Sequence, residues 1–323
     1  MRQKWIPILA ASLATALVTA ACGSSGGSPS PSGSGLEKTH LTVAALPVVD
    51  DAPLFLAIKK GYFKQQGLTV TPKIITQSTL ALPDLLHGSV DIVGGGNYVS
   101  YMEGQASGTF KLKILVAGTE CKAGSFGVLA LPSSGITSPA KLAGKTIAVN
   151  LANNIQTLTA NAALKADGVS PAAVKYVVIP FPDMAAALKA GRVSAISVVE
   201  PFLSGTEQAL GAKLVLSQCS GSLASFPLSG YFTTAAWAQQ NPRTAAAFQR
   251  AMDKAQAYAD ANPAAVRQVL PTYTKVTAAA AQHLVLNSFP ATLSAAQLQR
   301  VADLMHTGGV LKSAFTVQPM LLH

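Results

Sequence analysis

Two stretches of this chain repeat one helix–turn–strand junction: LLHGSVDIVGGGNY at 85–98 and LKAGRVSAISVVEP at 188–201. Each runs Leu, two residues, Gly, one residue, Val, a small polar residue and then apolar residues. The glycine suits the left-handed position just past a helix, and the apolar run after it reads as a buried strand. A chain that writes this junction twice, about a hundred residues apart, builds two similar α/β units. Their strands alternate with helices, which predicts parallel sheets with crossover helices.

The flanking sequence agrees. LTVAAL (41–46) alternates as a strand, and VVDDAPLFLAIKKGYF follows, with Asp50 and Asp51 expected as helix caps, Pro53 in the first turn and Gly61 past the end. LTVTPKII (68–75) is a second strand, and Gln77, Ser78 and Thr79 open the helix that stops at Gly88. The second unit begins near 139. PAKLAGKTIAVN gives a turn and a strand, and NNIQTLTANAALKADG gives a helix capped by Asn153 or Asn154. VKYVVIP, PDMAAALKAG and VSAISVV continue the alternation. Segments 114–134 and 212–242 connect the units, one outward and one back. After Pro242 helices are expected over 243–261, 263–270, 277–287 and 294–306.

Residues 1–21 form a separate unit: Arg2 and Lys4, an apolar run from Ile6 to Ala21, then Cys22 in VTAAC. This is a signal-peptide layout, with an uncleaved membrane anchor as the alternative. Its end resembles a bacterial lipobox, in which the cysteine is lipidated; Thr19 stands where such boxes usually carry Leu. Residues 22–37 form a linker, and GSSGGSPSPSGSG within it buries too little apolar surface to order itself. As a flexible coil those 13 residues span roughly 20 Å. The body is therefore expected outside the cytoplasm, tethered to the cell membrane. There Cys121 and Cys219, the cysteines left after Cys22, are expected to pair, with two unpaired buried thiols as the alternative. Such a bridge would contribute at most about 4–5 kcal/mol in the chain-entropy model.

Composition narrows the function. Apolar residues make up 49% and charged residues 12%, so wholesale disorder is excluded. Loss of the leader lowers the formal charge from +10 to +8. The cations are spread along the sequence without interleaved aromatics, which argues against nucleic acid and leaves anionic lipid or wall polymer as a mild fit. CxxC is absent and the five His are scattered, so no metal or other cofactor is expected. Val99 breaks a GxGxxG reading of Gly94–Gly96, which excludes dinucleotide binding, and no GxSxG elbow is present.

APLFLAIKKGYFKQQGLTV (52–70) resembles the opening of the nitrate/sulfonate/taurine-type solute-binding proteins of ABC importers. Four further motifs follow in family order: LLHGSVDIV, KLAGKTIAV, LKAGRVSAI with VVEP, and QLQRVADLMHTGGVLK (297–312). Together they cover most of 41–312. The resemblance implies an α/β, two-lobed periplasmic-binding-protein fold of the class with two hinge crossings, its parallel-core sheets flanked by helices. Lobe 1 is expected over 38–130 and 213–323, and lobe 2 over 131–212. It implies a monomer, not an enzyme, that holds a small organic solute of the sulfonate, nitrate, taurine or thiamine-precursor class between the lobes and works with permease and ATPase subunits. A sensor or envelope lipoprotein without transport is the alternative. Thiamine-pyrimidine precursor synthases also resemble the family, but their cysteine-rich motif and cofactor-binding lysine are missing. Two positions depart from the pattern. Pro83 falls within a family helix, which would then begin later, and Ser194 stands where the strand usually carries Asp.

Ligands of open α/β sheets bind beyond the carboxyl ends of strands. Candidates in the first lobe are Asp50, Asp51, Gln77, Ser78, Gly95, Gly96 and Asn97. In the second they are Asn150, Asn153, Asn154 and Thr157, beside Gln156, with Glu200 at the junction and Ser229 and Tyr231 on the return crossing. Each has a plainer alternative: Asp51 and Ser78 as caps, the glycines as turn formers, Glu200 as a hinge bridge. None is basic. A sulfonate or nitrate calls for free helix N-termini plus Arg or Lys, so the expected ligand is a neutral or amine-bearing small organic molecule, such as a heterocyclic vitamin precursor.

Overall fold

The computed structural model describes residues 35–322. The leader (1–21), Cys22 and the linker up to residue 34 lie outside the described residues. The chain alternates as expected through β1 (His40–Ala45), α1 (Ala52–Lys59), α2 (Tyr62–Gln65), β2 (Thr69–Ile74), α3 (Leu82–His87), β3 (Ile92–Asn97), α4 (Tyr98–Ala106) and β4 (Leu112–Ala117). It then crosses to β5 (Phe126–Ala130), β6 (Thr146–Val149), α5 (Ile155–Ala166), β7 (Lys175–Val178), α6 (Phe181–Lys189), β8 (Ala195–Val199), α7 (Phe202–Leu210) and β9 (Lys213–Ser217). It returns through β10 (Ser229–Thr234) and α8 (Ala235–Gln240) to α9 (Pro242–Ala261), α10 (Pro263–Val269), α11 (Ala278–Ala281) and α12 (Ala295–Thr307).

Two five-stranded sheets result, ordered β2-β1-β3-β10-β4 and β7-β6-β8-β5-β9. In the first, β1 pairs parallel with β2 and β3, and β10 runs antiparallel between β3 and β4. The second repeats this, with β6 parallel to β7 and β8 and β5 antiparallel between β8 and β9. The repeated phrase occupies the same place in both: α3 into β3 and α6 into β8. Gly88 and Gly191 take the left-handed turn at φ 76° and 67°. The next strand then docks identically, with Asp91 N–H on the Thr42 carbonyl and Ser194 N–H on that of Thr146.

Pairing places β5 and β9 in the second sheet, so the crossings run over 118–125 and 218–228, inside the connecting segments expected at 114–134 and 212–242. They are zipped together by Gly118 N to Ser229 O (2.9 Å), Leu228 N to Thr119 O (2.9 Å) and Cys121 N to Phe226 O (2.8 Å). A disulfide joins Cys121 to Cys219 across them, with Cα atoms 5.2 Å apart.

Several local expectations resolve here. Pro83 sits in the first turn of α3, where its missing N–H costs nothing, so the helix begins at Leu82. The helix expected over 277–287 shrinks to Ala278–Ala281. Beyond it the chain is drawn to the hinge: Val285 N–H bonds the Glu200 carboxylate (3.1 Å) and Ser288 exchanges backbone bonds with Glu120 (3.0 and 3.1 Å). Asp91 accepts from Lys38 Nζ (2.6 Å), Thr42 N (2.9 Å) and Trp237 Nε1 (2.9 Å). Ser194, at the matching place in the second lobe, has no such set. Among the described residues no helix is long and apolar enough to cross a membrane.

Candidate functional site

The carboxyl ends of β1, β3, β6 and β8 face one another across the gap between the lobes, and the hinge ribbon closes one side. A cavity of about 50 Å³ lies there. Asp50, Ser78, Gly95, Asn97 and Ser229 line it from one side and Asn150, Asn154 and Gln156 from the other. Leu46, Val48, Phe126, Phe181 and Leu228 complete apolar walls, and no Lys or Arg lines it. Space of this size holds a few waters, so admitting a larger solute requires the lobes to part. Gln77 spans the gap directly, donating Nε2–H to the Asn150 carbonyl at 2.5 Å.

Asp50 is the one acid lining the cavity. Neither it nor Asp51 caps α1 with its side chain, contrary to expectation. The Asp50 Oδ2 accepts from the hydroxyls of Thr119 and Ser229, each at 2.7 Å, and Oδ1 from Asn287 Nδ2 at 3.1 Å. Thr119 lies in the outward crossing and Ser229 opens β10 where the return crossing ends, so this carboxylate ties the hinge to the cavity floor. Burial pushes its pKa up, opposed by those three donors.

Asp51 is fully buried behind Asp50. Its Oδ2 accepts from Leu46 N (2.7 Å), while Oδ1 has no partner, and the unbonded Tyr231 hydroxyl is buried beside it. Burial, reinforced by the charge of Asp50 and opposed by the Leu46 N–H, pushes its pKa up to about 8. The triple glycine accommodates this carboxyl. A Cβ at Gly94 would sit 2.5 Å from Asp51 Oδ1, and one at Gly95 2.7 Å from Oδ2. Gly96 makes the same room for Phe232 and Tyr101. The glycines therefore belong to β3, extending it beyond the expected VDIV, and only Gly95 borders the cavity.

The polar corner of the second lobe is held by amides. Asn154 caps α5, its Oδ1 accepting from Gln156 N and Thr157 N (3.1 and 3.2 Å) while the Thr157 hydroxyl accepts from Asn154 N (3.0 Å). The Gln156 Oε1 accepts from Asn150 N and Asn154 Nδ2, both at 2.7 Å, and its Nε2 donates to the Ser197 carbonyl (2.5 Å). Gln218 braces it through its carbonyl (2.8 Å) and takes the Ser197 hydroxyl (2.7 Å). The amide oxygen of Asn150 is left buried without a partner. Asn97 caps α4 through its side-chain oxygen (2.9 Å) and borders the cavity.

The other candidates lie off the cavity. Asn153 is exposed and, with Thr157, borders a separate groove of about 1250 Å³ between α5 and the end of α12. That groove is larger, but it lacks a buried convergence of polar groups, and the smaller cavity is the candidate site for that reason. Glu200 bridges the hinge: its carboxylate accepts from Ser204 Oγ (2.5 Å), Ser204 N and Val285 N (both 3.1 Å), and its carbonyl from Val49 N (3.2 Å). Burial pushes its pKa up, countered by these donors. Thr119, Asn287 and Gln218 were not legible as site residues. They come from three distant segments, and only the fold brings them together. Among the described residues no cluster of His, Cys, Asp and Glu fits a metal.

The profile of the NMT1/THI5-like family matches residues 49–266, two-thirds of the chain. The chain belongs to that family. Comparison with curated protein sequences gives no match. Among solved structures, the alkanesulfonate-binding protein SsuA of Xanthomonas axonopodis pv. citri, bound to MOPS, superimposes with a TM-score of 0.75 at 20% identity, covering 88% of this chain and 99% of that one. The periplasmic nitrate-binding protein NrtA of Synechocystis PCC 6803 gives 0.73 at 18% identity, covering 86% and 84%. The periplasmic aliphatic sulphonate binding protein SsuA of Escherichia coli gives 0.69 at 17%, covering 88% and 92%. At these identities the likeness is one of fold: the two-lobed periplasmic-binding-protein architecture.

Proposed function

We propose that this chain is the extracytoplasmic solute-binding component of an ABC importer, held at the membrane by a lipid on Cys22. It captures a small organic solute between its lobes and delivers it to the permease and ATPase subunits. No reaction is asked of it. The family membership and the sulfonate- and nitrate-binding proteins that share the fold support the general role.

The charge of the cavity supports a solute that differs from theirs. An oxyanion would meet the Asp50 carboxylate and no cation, and desolvating it without a partner is costly. A neutral or amine-bearing molecule instead finds an acceptor pair, Asp50 and the unpartnered Asn150 oxygen, with Ser78 and Asn97 as hydroxyl and amide donors. Apolar walls from Phe126, Phe181 and Leu228 suit a ring. That cavity, acid-lined and without Lys or Arg, is the observation that carries the reading. Calorimetric titration with an aminopyrimidine, taurine and an alkanesulfonate tests it. Heat from the amine with none from the sulfonate is expected; tight sulfonate binding alone would overturn the assignment.

A further inference from the structure

The fold gathers cations that look dispersed in the sequence. Lys59 and Lys60 end α1, Lys64 lies in α2, and Arg250 and Lys254 stand one turn apart on α9, which packs on both. All five are exposed. Lys60 lies over the Tyr258 ring (4.0 Å) and Lys254 over that of Tyr62 (4.3 Å). Arg250 Nε donates to the Gln66 side-chain Oε1 (2.7 Å) and Lys254 Nζ to that of Gln65 (3.0 Å). Among the described residues none of the five is paired with a carboxylate. Of the acids on α9, Asp260 takes Phe289 N and Asp253 pairs with no cation. The face carries five charges, three of them (Lys60, Arg250 and Lys254) held by neutral partners.

The same helix receives the N-terminal segment. Glu37 accepts from Arg243 Nε (2.9 Å), Thr244 N (2.9 Å) and Thr244 Oγ1 (3.0 Å), and Lys38 N bonds Thr244 Oγ1 (3.0 Å). From Thr244 to Lys254 is about 15 Å along the helix. The sequence puts 13 Gly, Ser and Pro residues between Cys22 and this point, a length that would reach roughly 20 Å if it were a coil. A chain anchored at Cys22 thus enters lobe 1 beside its unpaired cations.

We propose that the Lys59, Lys60, Lys64, Arg250 and Lys254 face rests on the anionic headgroups of the membrane that holds the chain. The inference takes the leader and Cys22 as the membrane attachment and is independent of which solute is bound. Each cation near an anionic surface strengthens association about fivefold, and the tether converts this weak attraction into an intramolecular one. The contact sets the orientation in which the cleft is presented.

Amine footprinting of the full chain reconstituted in vesicles tests this. Acetylation of each lysine is compared in phosphatidylcholine alone and in phosphatidylcholine mixed with phosphatidylglycerol. Lys59, Lys60, Lys64 and Lys254 are expected to be at least about threefold slower in the anionic vesicles, with protection lost in high salt. Lys141, Lys145 and Lys175, exposed on the second lobe, serve as the comparison and keep their rates. In a Lys64→Gln/Arg250→Gln/Lys254→Gln variant, protection of Lys59 and Lys60 disappears while solute binding is retained. Equal protection on both lobes, none on either, or protection by soluble polyphosphate but not by vesicles would each overturn the proposal.

Discussion

Replacing Asp51 by Asn should stabilise the protein at neutral pH and leave it unchanged in acid. Asp51 is completely buried, with one oxygen on the Leu46 N–H and the other unpartnered beside Asp50. Its pKa stands at about 8 in the folded chain against 3.8 for a free side chain. The folded protein therefore keeps a proton that the unfolded chain releases. The sign follows: stability from this group is complete below about pH 4, falls as pH rises, and levels off above about pH 8. Each unit of that window costs at most 1.36 kcal/mol, so the loss by pH 7 is ~2 to ~4 kcal/mol once protein relaxation is allowed for. Asn has the same shape, retains the acceptor for Leu46 and does not titrate. Urea unfolding at pH 4 and pH 8 separates the two. The difference between variant and parent isolates Asp51, because the other buried acids are common to both. Equal stability at pH 4 with a gain of at least that size at pH 8 is expected. Parallel pH profiles, or a variant less stable at pH 8, would refute the reasoning.

Gly95→Ala should lower stability by about 2–3 kcal/mol: φ is +60° and the new Cβ would lie 2.7 Å from Asp51 Oδ2 and 2.9 Å from Leu46 Cδ1. Thermal unfolding reads this, and a loss below about 0.5 kcal/mol would contradict the packing. Changing both Cys121 and Cys219 to Ser should cost up to ~4 kcal/mol, since the bridge closes a loop across a sequence separation of 98; denaturant midpoints measure it. Gln77→Ala removes the bond that spans the lobes and should weaken solute retention about fivefold, near 1 kcal/mol, without altering the unfolding midpoint. Calorimetry of the two proteins checks that, and unchanged affinity would assign the bond no role in closure.

The architecture was legible because its signals are local. The Gly88 and Gly191 turns, the alternation in LTVAAL and the capping Asn154 each act over a few residues. Repetition of one junction fixed two sheets of the same order. What the sequence concealed is long-range. Asp50 and Asp51 carry the look of caps, but buried donors from Thr119, Ser229 and Asn287, and the Leu46 N–H, claim their oxygens first. The glycines of GGGNY read as a turn or a ligand approach, while the crowding of Asp51, Tyr231 and Phe232 makes them strand. Residues 283–288 lose their helix to the hinge for the same reason: Glu200, Glu120 and Asp50 offer partners that local propensity does not register. Clustering of five cations is likewise invisible until α1, α2 and α9 pack.

The most direct measurement is mass spectrometry of the solute released when the protein, purified from its own host, is denatured. A single small molecule, uncharged or carrying an amine, present near one per chain and lost in an Asp50→Ala variant, is the predicted result. Release of a sulfonate or other oxyanion, retained equally by the variant, would contradict a guest held between Asp50 and Asn150.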